Sequence, residues 1–197
     1  MGWWTAAAAL TPVHAWDARS YNGVNLPDMV GNNALSSDAR RLVGVGAYWG
    51  VSGDLKPFLL GSNVTPAANS VLVFFADYSL LNHIGNGVIG FSKEGSVNYF
   101  TAHVNEPPTY PANFLVAAKD DLKPRPTLSD SMVWGQANFI AIVFDSGTTG
   151  RAYVNGGWGG TAIPRSHFPD FASRIGWQGG SGYQLSSSET LIAAGYW

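Results

Sequence analysis

The chain has 197 residues, 46% of them hydrophobic and only 12% charged, with a formal net charge of −2 and an isoelectric point near 6.0. A soluble domain usually carries about a quarter charged residues, so this balance excludes a disordered polyelectrolyte and argues against nucleic-acid binding by phosphate neutralisation. The lack of Cys excludes disulfides, thiolate metal sites and cysteine nucleophiles.

The first stretch, MGWWTAAAAL, has no Lys or Arg ahead of its alanines, and the first basic residue is Arg19. A signal peptide opens on positive charge, so residues 1–12 are expected to form a short ordered arm. Trp3 and Trp4 are its candidate anchors, packing either on a partner or on the arm's own domain. Residues 13–197 then read as a single domain. No run approaches the roughly 18 apolar residues of a membrane span.

Val13–Asp17 reads as the first strand, and Ser20–Ser37, rich in Asn, Gly, Asp and Pro, as a loop. Val43–Val51 is a Gly-punctuated strand, and Pro57–Leu60 a short one whose proline marks an edge or a start. Ser70–Ala76 (SVLVFFA) is apolar throughout and is expected to be buried on both faces. Val88–Phe91 and Val97–Val104 form one hairpin, and Phe139–Phe144 with Arg151–Val154 another, each around a Gly-containing turn. Asn113–Ala118, Arg174–Trp177 and Thr190–Tyr196 complete the strands. The proline-bearing segments 105–112 and 120–130 cannot continue a ladder. The straight-chain helix formers Glu, Lys, Gln and Met number only 3, 4, 3 and 3, against 8 Trp, 8 Tyr and 10 Phe. Aromatic residues suit a pleated surface. The fold class is therefore all-β, a single antiparallel β-sandwich, with Trp16, Trp49, Trp134 and Phe139–Phe144 expected in the core.

Catalytic patterns are sparse. His14, His83, His103 and His167 are too widely spaced for a zinc motif, so no metal and no cofactor is expected. Gly179–Tyr183 lacks the last glycine of a nucleophile elbow. Sugar hydrolysis needs two convergent carboxyl groups, yet Glu94, Glu106 and Glu189 have no carboxylate two positions away, and Asp120 and Asp121 would point to opposite sides of a strand. The chain is not expected to be an enzyme. Recognition falls to aromatic rings on loops: Trp158 between glycines on an expected turn, and Trp177 and Tyr183 bordering the Gly179–Gly182 turn, with Asn155 and Asp145 as polar partners.

Trp134 before FIAIVFD at 139–145, then GRAYVNG at 150–156, Arg174-Ile175-Gly176 and the closing LIAAGYW at 191–197 together resemble the concanavalin-A-like, laminin-G-like jelly roll. The opening Ala15–Arg19 with Leu26-Pro27-Asp28 and Gly31-Asn32-Asn33 is similar to the first strand and loop of the same domains. The resemblance implies a jelly-roll sandwich, and its superfamily spans glucanases, lectins and adhesion modules. Such domains often continue past the closing strand, which here ends at Trp197. The glucanase carboxylate string is missing.

Stand-alone domains of this kind resemble those of tailed-phage decoration and fibre proteins. Sparse charge and no visible export signal then suggest a non-enzymatic virion component assembled in the host cytoplasm. It would act by protein–protein contact, as a homo-oligomer, on capsid or fibre proteins. The alternative is a carbohydrate-binding, lectin-like module; a glycoside hydrolase ranks last. Neither nucleic acid nor membrane is expected as a partner.

Overall fold

The computed structural model describes residues 10–36, 40–45, 48–53, 58–77, 87–93, 98–104, 114–119, 137–155, 157–158, 162–168, 170–175 and 190–197. The strands in chain order are β1 (His14–Asp17), β2 (Asn25–Leu26), β3 (Leu35–Ser36), β4 (Arg40–Val45), β5 (Tyr48–Gly53), β6 (Phe58–Val64), β7 (Ser70–Asp77) and β8 (Gly87–Ser92). They continue with β9 (Asn98–Val104), β10 (Phe114–Lys119), β11 (Ala137–Phe144), β12 (Thr149–Val154), β13 (Gly157–Trp158), β14 (Ile163–Pro164), β15 (Ala172–Ile175) and β16 (Thr190–Tyr196). Single-turn helices occupy Ala18–Ser20 and Arg165–His167. Among the described residues no helix is long and apolar enough to cross a membrane.

Two antiparallel sheets result. The larger runs β13-β12-β11-β7-β16-β5-β4, with β1 also on β16 and β14 on β12; the smaller runs β10-β9-β8-β15-β6-β3-β2. Alternation along the strands places the core between them. Leu72, Phe74, Ile140, Ile142, Phe144, Ala194 and Tyr196 face in from the larger sheet, and Leu26, Leu35, Phe58, Phe91 and Ile175 from the smaller. The Phe74 and Phe91 rings meet across the gap at 4.9 Å between centroids, and Trp16 meets Phe91 at 6.1 Å. Each such fully buried side chain contributes about 1.5–3 kcal/mol of burial free energy.

Glycines set two close approaches. A Cβ at Gly150 would lie 2.8 Å from the Phe168 ring, so this position of β12 must be bare for Phe168 to pack on Phe144. A Cβ at Gly195 would lie 2.4 Å from the Trp197 ring, which packs over the β16 backbone. Trp197 is itself held by paired backbone bonds to Val71 (Trp197 N to Val71 O 3.0 Å; Val71 N to Trp197 O 2.9 Å).

The two hairpins and the strands at 70–76, 114–118 and 190–196 form as the sequence predicts. Four expectations are corrected. Val43–Val51 is a hairpin of β4 and β5 rather than one strand: the two strands are antiparallel, with Val45 paired to Tyr48. The loop at 20–37 contains β2 and β3, each two residues long and too short for a periodic signal. Phe139 is 38% exposed, on the outer face of β11, because Asn138, Ile140, Ile142 and Phe144 are the buried, alternate positions. The SVLVFFA strand is buried on its inner face, and on its outer face Val73 is buried whereas Val71 and Phe75 are only half-buried. The side chain of Trp49, all of Trp134 and the arm with Trp3 and Trp4 lie outside what the structure describes.

Candidate functional site

The β11–β12 hairpin carries two of the candidate ligand residues. Ile140 pairs with Val154 and Val143 with Arg151, so Asp145 lies at the turn and Asn155 at the open mouth. Six residues of strand separate those ends, about 20 Å at ~3.3 Å per residue. Asp145 and Asn155 therefore cannot grip the same sugar ring.

Both side chains also have internal work. Asn155 sits at φ 50°, a conformation Asn tolerates better than most residues. Its Oδ1 accepts from Phe139 N (2.9 Å), and its Nδ2 donates to Oδ1 of the buried Asn138 (2.8 Å). With Asn155 N donating to Phe139 O (2.8 Å), these bonds close the hairpin mouth. Asp145 pairs with Arg151 across the turn. Beside it, Ser146 and Thr148 share a hydroxyl hydrogen bond of 2.8 Å.

Trp158 lies in β13, its backbone paired opposite Tyr153, three residues from Asn155. The expectation of a plain turn there is corrected: Gly157–Trp158 is a short strand at the edge of the larger sheet. Trp177 and Tyr183 lie outside the described residues, in the stretch leading into Thr190. Thr190 pairs with Asp77, which faces Ala137 at the same end of the sheet as Asn155.

Among the described residues, the densest polar cluster lies at the opposite end, among residues that sequence patterns did not mark as ligands. Asp28, with its side chain 1% exposed, accepts from Ala15 N (3.0 Å), Val30 N (3.2 Å), Gly31 N (3.0 Å) and Asn33 N (3.1 Å). His14 Nδ1 donates a fifth bond at 2.6 Å, its ring stacked on Trp16 and Tyr196. Burial works to raise the Asp28 carboxyl, but the hydrogen bonds outweigh it and hold the group below the usual carboxylate range. Gly31 is bare because a Cβ would sit 2.6 Å from the carboxylate. Asn33, fully buried, pairs with the Ser62 backbone (2.8 and 2.9 Å) while its carbonyl accepts from the Trp16 indole (2.7 Å). The cluster also caps the outer edge of β1, where Met29 N donates to Ala15 O (2.7 Å). The only sequence signal for it is the Leu26–Asn33 string that carried part of the family resemblance.

The remaining carboxylates with placed side chains are also bound. Asp17 caps the first helical turn and chelates Arg19, raising that guanidinium's pKa. Asp170 bonds Lys93 at 2.8 Å, which lowers its pKa. The pKa of Arg165 is lowered by burial beneath Phe144, with Asp170 opposing. Among the described residues, no three His, Asp or Glu side chains group to hold a metal ion.

The architecture defines an antiparallel β-sandwich protein with a polar buried cluster at one end and the Trp158 strand at one edge of its larger sheet. No protein-family model and no curated protein matches this sequence. Solved structures do share the fold. Trypanosoma rangeli sialidase is similar over 95% of this chain and 30% of its own, with a TM-score of 0.63 at 14% identity. The botulinum neurotoxin serotype D binding domain is similar over 94% of this chain and 48% of its own, at 0.59 and 14%. Domain 4 of AbnA, an extracellular arabinanase from Geobacillus stearothermophilus, is similar over 94% of this chain and 91% of its own, at 0.58 and 12%; its structure holds arabinotriose. The chain thus spans less than half of the sialidase and neurotoxin chains and nearly all of the arabinanase domain.

Proposed function

We propose that the chain is a non-enzymatic carbohydrate-binding module. Its contact surface is the β13 edge of the larger sheet, beside the mouth of the β11–β12 hairpin. One observation carries the reading: the arabinanase domain of matching extent and fold is in complex with a sugar, arabinotriose. Trp158 on that edge is the aromatic residue assigned to it in this reading, with Trp177 and Tyr183 as the further aromatic candidates. Aromatic faces stack on the apolar faces of sugars without needing charge, which suits a chain this poor in it.

The test is titration of the folded protein against arabino-oligosaccharides and a wider glycan array. Trp158→Ala is expected to weaken binding about tenfold or more, about 1.4 kcal/mol, with unchanged circular dichroism. A folded wild-type protein that binds no glycan overturns the reading.

A second reading draws on a different feature. Phe139, Phe75, Val71 and Val143 face outward on adjacent strands of the larger sheet, where a solvated sandwich would carry polar residues. That face supports a virion structural protein, a capsid decoration or fibre-associated component made in the host cytoplasm and held by protein–protein contact.

A further inference from the structure

The loop before β2 contains an Asn-Gly step built unlike the one at the hairpin mouth. Asn22 is exposed and followed by Gly23. Its side-chain Oδ1 accepts two backbone hydrogen bonds, from Val24 N (3.0 Å) and Asn25 N (2.7 Å). Asn22 N donates to Asn25 O (3.1 Å), closing the turn. Gly23 sits at φ 92°, with open space where a Cβ would be. Among the described residues the Gly23 amide has no hydrogen-bond partner.

We infer that this turn is a self-modification site, at which Asn22 deamidates faster in the folded protein than in the unfolded chain. The Gly23 amide loses its proton to solvent base, and its nitrogen bonds to Asn22 Cγ. Negative charge develops on Oδ1, where two N–H donors already stand at the distances an oxyanion needs. The Cγ–Nδ2 bond then breaks, and Nδ2 takes a proton from water and leaves as ammonia. Water opens the resulting succinimide at Cγ to give an ordinary aspartate, or at the main-chain carbonyl to give isoaspartate. Either product adds one negative charge beside β2, the edge strand of the smaller sheet. The ordinary aspartate keeps an oxygen for Val24 N and Asn25 N. Isoaspartate reroutes the backbone one carbon longer, ahead of the buried Leu26.

Asn155, which also precedes a glycine, is the internal contrast. Its leaving nitrogen is bonded to Asn138, and its Oδ1 accepts from Phe139 N on a paired strand. Folding should protect it.

The experiment incubates the native protein and a guanidinium-unfolded sample at pH 8 and follows both sites by peptide mass mapping, reading the one-dalton gain. Asn22 is expected to convert about tenfold faster when folded, modest against the hundredfold that a single oxyanion donor supplies in an enzyme. Asn155 is expected to convert more slowly when folded. If folding leaves the Asn22 rate unchanged or lowers it, the inference is overturned. Gly23→Ala, which adds a Cβ at a positive φ and a bulkier neighbour to the attacking nitrogen, should abolish the folded-state advantage.

Discussion

Asp28 shows how one carboxylate can organise a loop that has almost no regular structure. Four backbone N–H groups and His14 converge on it, so its ionised form is built into the native state. Because its folded pKa is depressed, the stabilisation is fully present above the unfolded carboxyl value of about 3.9. It is lost as pH falls through the lower folded value. Asp28→Asn puts an NH2 group among donors. It should lower the unfolding free energy by about 3 kcal/mol near neutrality and flatten the acid limb of a urea-midpoint-versus-pH curve. An acid limb as steep in the variant as in the wild type would assign that limb to other carboxylates. The residue scale also explains why this cluster escaped sequence reading. Pro-Asp with nearby Gly and Asn says loop, but five donors meeting on one carboxylate is a three-dimensional fact.

The β11–β12 hairpin carries the next prediction. Asn155 holds the mouth shut through Phe139 and Asn138. Asn155→Ala removes the acceptor of Phe139 N and the donor to the buried Asn138 Oδ1, at a cost of about 1–3 kcal/mol in chemical denaturation. Glycan affinity should stay within about twofold of wild type, since a side chain bound on both its polar atoms contributes packing order rather than a sugar contact. A tenfold affinity loss in a variant of wild-type stability would restore Asn155 as a ligand.

What was legible in the sequence follows from element length. Six- to eight-residue strands with apolar alternation or solid apolar runs, such as β7, β11 and β16, were readable. Two-residue strands held by partners distant in sequence, such as β3 on β6, left no local mark. Phe139 was misplaced for a related reason. In FIAIVF both faces of the strand are apolar, so composition cannot say which is inside; the register to β7 and Ile140 decides it. The proposed site was only partly readable, because hairpin geometry parts Asp145 from Asn155 although ten positions look close in sequence.

At the scale of the molecule, sparse charge and the outer sheet face belong together. Phe139 and Phe75 pair directly on that face, and Val71 pairs with Val143 farther along it, beyond the buried Ala141–Val73 pair. Such a surface favours contact with another protein surface over permanent solvation. Phe139→Lys places a charge at the exposed Phe139–Phe75 end of that face without touching the core. It should shift thermal stability by no more than about 0.5 kcal/mol. If the face is a protein-binding surface, sedimentation should show wild-type self-association, or particle-bound protein, that the variant loses. Wild-type protein that stays monomeric at high concentration and binds no particle would remove the structural-protein reading while leaving sugar binding at the β13 end untouched. The two proposed surfaces use different parts of the larger sheet, the β13 edge and the outer face of β7 and β11, so a Trp158 variant and a Phe139 variant should fail in different assays.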